Sequence, residues 1–313
     1  MRILKFTLAA ACVLLMTSCG SKGKQPTTWR NSDDVHIAID ETFRDIMAEE
    51  LETFGLTNPE AGIKPLYCSE DSALHLLLID SIRCCIATRP LSKEEINYVR
   101  GNRLDVKQAM VATDAFALVV NRENPDTLIS VDELRQIVSG KITRWEQLQH
   151  SGKKGELKLV FDNSGSSTVR YMRDSLLAGK NVQGNLYAQG SNSAVLDAVR
   201  ENPNIIGVVG ANWLKGKSDS VLTDFETLDV KVLKVSRSSK PDAIGWRPYQ
   251  YRILTGDYPL VRSVYIILTD PRVRSYTKTF FHFLKGQKGQ TIICNSSQLL
   301  PYTPVQYKSV STE

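Results

Sequence analysis

Leu157-Lys158-Leu159-Val160-Phe161-Asp162-Asn163-Ser164-Gly165-Ser166-Ser167-Thr168-Val169 is the stretch on which the fold turns. The apolar run from Leu157 to Phe161 reads as a strand. A polar turn with a glycine and several hydroxyls follows. Val169, Met172, Leu176 and Leu177 then recur on one helical face, with Gly179 as the stop. A helix that starts there presents unpaired N–H groups and about half a positive charge, so it can hold an anion without any lysine. Glycine lets the backbone approach closely, and the hydroxyls add donors. Ser and Thr are also ordinary helix caps, so the turn acquires meaning only in company.

The same unit recurs on both sides. Val35 to Ile39 reads as a strand that runs into Asp40-Glu41-Thr42-Phe43. Phe43, Ile46, Met47, Leu51 and Phe54 follow at helical spacing up to Gly55. Ser69 to Ser72 opens a helix over Ala73 to Asp80, capped by Ser69 or Ser72. Ile82 to Thr88 is a strand ending at Arg89-Pro90, and Ser92 with Glu95 forms a capping box for a helix through Val99. Downstream, Phe116 to Val120 is an apolar strand, and Ser130 with Glu133 boxes a helix whose Leu134, Ile137 and Val138 face inward before Gly140. Ala194 to Arg200 is helical, Ile205 to Val209 and Ser263 to Leu268 are strands, and Phe280 to Ile293 is helical with breaks at Gly286 and Gly289. Strands separated by helices predict α/β layers with mainly parallel sheets. In such sheets the turns gather at the carboxyl ends of the strands, so these four could converge on one small oxyanion.

Composition is consistent with this. The chain has 313 residues, 42% apolar and 23% charged, which suits two buried cores and excludes disordered, collagenous and coiled-coil classes. The net charge of +5 is too mild to imply nucleic acid, and part of it lies in a segment expected to be removed. Residues 1–18 combine a basic start (Arg2, Lys5), the apolar run Phe6 to Met16, and small residues before Cys19, the pattern of a secretory signal. Leu15-Met16-Thr17-Ser18-Cys19 resembles the lipobox of bacterial lipoproteins, which implies lipidation at Cys19, a tether over 19–31, and export to the envelope. Cys68, Cys84, Cys85 and Cys294 read as small apolar side chains, with disulfide or redox roles left open. The histidines have no mutual ligand spacing, and no metal or cofactor is expected. The turn at Gly165 lacks the second glycine of G-x-S-x-G, and Arg135 stands where a P-loop ending in Gly140-Lys141 needs its first glycine. No catalytic activity is expected.

Six ordered blocks give the chain a family resemblance. They are Ile86-Ala87-Thr88-Arg89-Pro90-Leu91; Ala117 to Asn121 with Asn124-Pro125, Gly140-Lys141-Ile142-Thr143 and Trp145; Gly165-Ser166-Ser167-Thr168; Ile206-Gly207-Val208-Val209; Tyr258 to Arg262; and Phe280-Phe281 through Gly289-Gln290 to Leu300-Pro301. Together they resemble the periplasmic phosphate-binding protein of the Pst-type ABC importer. That resemblance implies a type II periplasmic-binding-protein clamshell, each lobe a mainly parallel sheet flanked by helices, joined by two crossover strands. It places lobe 1 at 30–117 and 262–313 and lobe 2 at 118–261. It further implies a monomer that clamps inorganic phosphate or a related oxyanion and docks on an ABC permease with ATPase subunits. Carried over residue by residue, the ligand set is Thr42, Phe43, Ser72, Thr88, Arg89, Asp162, Gly165, Ser166, Ser167 and Thr168.

Departures from the family pattern bear on that set. The family has an acidic residue where Arg89 stands and an arginine where Asp162 stands. Either the charges are swapped, with Arg89 donating to the anion and Asp162 accepting a proton from hydrogen phosphate, or Arg89 pairs with Asp162 or Glu41 across a repurposed cleft. Asp40 and Glu41 add carboxylates that repel an anion. The transport reading requires the loops to converge and the gap not to be filled by those two side chains. A ligand-free envelope sensor or scaffold, or a receptor for sulfate or molybdate, is the alternative.

Overall fold

A computed structural model describes residues 35–214, 224–240 and 242–306. The expected signal, Cys19 and the whole tether lie outside the described residues. In chain order the elements are β1 (Val35–Asp40), α1 (Arg44–Thr57), β2 (Ile63–Cys68), α2 (Glu70–Leu78), β3 (Cys84–Ala87), α3 (Lys93–Gly101), β4 (Lys107–Asn121), β5 (Leu128–Ser130), α4 (Val131–Val138), β6 (Lys158–Phe161), α5 (Ser167–Tyr171), β7 (Leu186–Ala188) and α6 (Asn192–Glu201). They continue with β8 (Ile205–Gly210), β9 (Val230–Val232), β10 (Lys234–Ser236), β11 (Gly245–Trp246), α7 (Gln250–Leu254), β12 (Val261–Leu268), α8 (Tyr276–Lys285), α9 (Gln287–Ser296) and β13 (Leu300–Pro301).

The strands run in the order β2-β1-β3-β12-β4-β8-β6-β7, with β9 and β13 also pairing with β4. At each end the pairing is parallel, β1 with β2 and β3, β6 with β7 and β8. The middle is antiparallel: β12 lies between β3 and β4, and β4 runs against β8. β4 and β12 are the two crossing strands, and the fold is a mixed α/β clamshell with flanking helices. Each half is parallel at its outer end, while one continuous sheet passes through both.

Strand periodicity explains why the halves bury both sheet faces. Phe116, Leu118 and Val120 of β4 join one core, and Ala117 and Val119 join the core on the opposite face. Two-sided burial under helices demands the uninterrupted apolar run seen in the sequence. At the other end, Ile37, Ile39, Cys84 and Ile86 face the core under α1 and α8, while Ala38, Cys85 and Ala87 face the core under α2. Cys84 and Cys85 thus point to opposite faces, and the four described cysteines are free thiols. The lower part of β4 supplies Val111 and Ala112 to the first lobe's core, and its upper part fills the second. One strand therefore belongs to both lobes.

Candidate functional site

The parallel strands β1, β3 and β6 deliver their carboxyl ends to the junction of the lobes, and the crossing strands supply charge there. Asp40, the last residue of β1, is fully buried and accepts from the Thr42 N–H at 3.0 Å. Its other oxygen accepts from the hydroxyl of Ser167, the first residue of α5 after the turn that follows β6. Arg262 of β12 donates to Ser167 Oγ at 2.6 Å and to Asp114 Oδ2 of β4 at 2.9 Å. Its guanidinium lies 4.1 Å from the Phe116 ring centre and 5.4 Å from that of Phe43, within cation–π range. Burial pushes the Asp40 carboxyl up to about 6, with Arg262 opposing and Glu70 reinforcing the rise.

A second charged group ties the lobes beside it. Glu70, buried at the start of α2, accepts from the Thr88 N–H at 2.6 Å and the Thr88 hydroxyl at 2.7 Å. Arg170 of α5 meets Glu70 at 2.5 Å and donates to Thr88 Oγ1 at 2.6 Å. Burial raises the Glu70 carboxyl, but the Arg170 and Thr88 bonds outweigh it and hold the group below its usual value. Further bonds cross the junction: Asn212 and Trp213 donate to Thr42 O at 2.7 and 2.8 Å, Asn192 donates to Glu41 at 2.8 Å, and the Asp71 N–H donates to Gly165 O at 3.3 Å.

Against this frame the expected ligand residues divide. Thr42 Oγ1, Thr168 Oγ1 and both carboxylate oxygens of Asp162 are buried and make no hydrogen bond of good geometry within the protein. Burial raises the Asp162 carboxyl, and the nearby Ser166 hydroxyl and Asn163 N–H offset that only in part. Ser166 caps its own helix through the Val169 N–H. Gly165 lies against Ser69 and Asp71, where an added Cβ would sit 3.4 Å from Ser69 Oγ. Phe43 is a buried wall beside Arg262. Thr88 is engaged by Glu70 and Arg170.

Two expectations are corrected. Arg89 pairs neither with Asp162 nor with Glu41; it makes a bidentate pair with Glu95 at 2.7 and 2.8 Å. Glu95 closes the capping box at Ser92, so its carboxylate is held within reach of Arg89 on the same turn. Ser72 is exposed and receives a bond from Ser69, which is the cap of α2. The cations at the junction are instead Arg262, which is buried, and Arg170, which is partly buried. Sequence reading did not single them out: Arg262 closes the block Tyr258 to Arg262, where its one mark is a charge inside an otherwise apolar strand, and Arg170 follows the Gly165 to Thr168 turn as one residue on a helix.

Hydroxyls, a carboxyl and guanidiniums drawn from both lobes onto one buried junction define a two-lobed, ligand-clamping binding protein. The chain belongs to the PBP superfamily, whose domain model matches residues 24–287. It is similar to the SphX protein of Synechococcus elongatus, 27% identical over 213 residues, a match spanning 65% of this chain and only 59% of that protein. It is also similar to the phosphate-binding protein PstS of Staphylococcus saprophyticus, 21% identical over 89% of this chain and 83% of that one. Among solved structures, a candidate phosphate ABC transporter substrate-binding protein from Clostridium perfringens, solved with bound phosphate, superposes with a TM-score of 0.70 at 20% identity. That match covers 86% of this chain and all of that one. An ABC-type phosphate transport receptor from Vibrio cholerae gives 0.62 at 21% identity, over 87% and 100%.

Proposed function

We propose that this chain is an exported receptor for a small oxyanion, inorganic phosphate before sulfate or molybdate, which it delivers to an ABC permease driven by ATPase subunits. The observation that carries the reading is the set of buried polar atoms without protein partners, contributed by both lobes: Thr42 Oγ1 from one, Thr168 Oγ1 and the Asp162 carboxyl from the other. Buried polar groups are rarely left unpaired, because each costs about 1–3 kcal/mol. A protonated oxyanion answers them together, its oxygens accepting from the two threonines and its proton going to Asp162. Arg262 supplies the positive charge that Arg89 does not. Binding rather than catalysis, a lipid anchor at Cys19, lobes of 30–117 with 262–313 and of 118–261, and action as a monomer complete the proposal. Among the described residues no helix is long and apolar enough to cross a membrane.

One observation favours a second reading. Asp40 already holds Ser167, and the lobes already bond directly to each other, as a clamshell repurposed for sensing or scaffolding would. Melting curves with phosphate, sulfate, molybdate and arsenate decide between them. A receptor must gain about 2.7 kcal/mol at a hundredfold excess of ligand over Kd. A chain that none of the four anions stabilises is not a receptor for them.

A further inference from the structure

The anion loop of this protein is already engaged by an anion, and that anion is part of the chain. Ser167 opens α5 just after the turn that follows β6, accepts a hydrogen bond from Arg262, and donates one from its hydroxyl to Asp40. Asp40 is buried and fixed on its other side by the Thr42 N–H. A carboxylate so placed takes up two donors of the anion loops, the Thr42 N–H and the Ser167 hydroxyl, and it repels any anion that approaches. We propose that Asp40 gates the site: ionised, it holds the Ser167 hydroxyl in the place of a ligand oxygen; protonated, it releases that hydroxyl and offers its own O–H to the oxyanion. The inference rests on the receptor reading above and adds that phosphate binding is coupled to the uptake of one proton from solvent onto an Asp40 oxygen.

The charges around Asp40 permit such a switch. Arg262 from β12 attracts, but Asp114 of β4 shares its charge. Glu70 from α2 repels, but Arg170 of α5 neutralises much of it. Cys68 at the end of β2 is pushed up to about 11, chiefly by burial, and stays a neutral thiol. Glu41 is turned toward Asn192, and Asp162 shares the junction with burial raising its carboxyl and Arg262 only partly opposing that. Because Asp114 shares the charge of Arg262 and Glu70 that of Arg170, Asp40 and Asp162 remain as surplus negative charge, and a doubly charged phosphate enters more favourably when one proton accompanies it. The rise of the Asp40 carboxyl to about 6 puts the switch close to neutrality.

Phosphate affinity is measured by calorimetry for the wild type and Asp40→Asn from pH 5 to 8.5, in buffers of differing ionisation enthalpy. Phosphate's own ionisation acts on both proteins alike, so the ratio of their dissociation constants is the readout. The two should bind about equally at pH 5. By pH 8 Asp40→Asn should bind at least tenfold more tightly, and it should take up about one proton fewer per phosphate. If Asp40→Asn does not fold, Asp40→Ser is read the same way, and net proton uptake by the wild type near pH 6.5 remains a requirement. A ratio that does not change with pH, or a variant that binds more weakly throughout, overturns the gate while leaving the receptor intact. Absence of binding by either protein at every pH overturns the receptor reading itself, and the gate with it.

Discussion

Arg262 and Arg89 carry the same charge and occupy different worlds. Arg262 is 6% exposed and faces Asp114, which is fully buried. Removing one partner of such a pair leaves an uncompensated buried charge and costs about 3–5 kcal/mol. Arg262→Ala should therefore lower the urea midpoint steeply and abolish phosphate-induced stabilisation. Arg89 and Glu95 form a pair that keeps a quarter or so of each side chain in water, and such pairs contribute about 0.2–1 kcal/mol. Arg89→Ala should shift the midpoint slightly and leave phosphate affinity within about twofold. Equal loss of affinity in both variants would return Arg89 to the site. Glu50 makes a separate case on the buried side of α1. Neither of its oxygens has a partner, and burial, helped by neighbouring Glu49, pushes it up to about 9. The folded state thus holds a proton that the unfolded state releases near 4.5, so its contribution to stability is complete below that pH and is lost as pH rises through about 9. Glu50→Gln should flatten the decline and be more stable than wild type at pH 8.5 by at least about 1 kcal/mol; parallel stability-against-pH curves would refute the assignment.

At the scale of elements, caps and two-sided strands were legible, and edges and crossings were not. Ser92 with Glu95 and Ser130 with Glu133 form complete capping boxes, because a cap is a local rule that four residues satisfy alone. β4 is the contrary case: its apolar half, Phe116 to Val120, was readable, yet the strand begins at Lys107, where polar residues face partial exposure. β2 carries Lys64 and Pro65 and pairs only with β1, an edge strand whose missing donor no sequence period reveals. The helix after Ser167 widens into a π turn over Met172–Leu176, which apolar spacing does not distinguish from an α turn. Thr42, Thr168 and Asp162 could be placed at the junction because loop and strand end are adjacent in sequence. The arginines, by contrast, meet their partners across separations such as Asp114 to Arg262 and Glu70 to Arg170. The second of these is a prediction at this scale: Arg170 of α5 is a latch on α2 and Thr88. Arg170→Ala should leave Glu70 unpaired only in the closed form, so it should favour opening. Small-angle scattering should show a larger radius of gyration than wild type, with far-ultraviolet circular dichroism unchanged. An unaltered radius would mean that the remaining cross-lobe bonds suffice.

For the whole molecule, closure depends on one place where the lobes approach without room for a side chain. Gly210 ends β8 in a backbone conformation that any residue can adopt (φ −63°). A Cβ there would nonetheless lie 2.6 Å from the Thr42 methyl and 2.7 Å from Asn212 Oδ1. The requirement for glycine is therefore steric, and it comes from both lobes: Asn212 is a neighbour in the same lobe, while Thr42 belongs to the turn after β1 in the other. Separating the lobes relieves the clash, while closing them restores it. Overpacking of a tight contact costs about 1–3 kcal/mol, and here the share set by Thr42 falls on the closed state alone, since the Asn212 side chain is free to turn aside once the lobes part. If closure traps the ligand, affinity must fall by the same amount, roughly tenfold to hundredfold. Gly210→Ala should thus weaken phosphate binding to that extent and expand the molecule in solution, with little change in its unfolding midpoint when ligand is absent. A variant that binds phosphate as tightly as wild type would show that ligand capture does not require the contact of β8 with Thr42, and the clamping mechanism would have to be abandoned in favour of binding on one lobe.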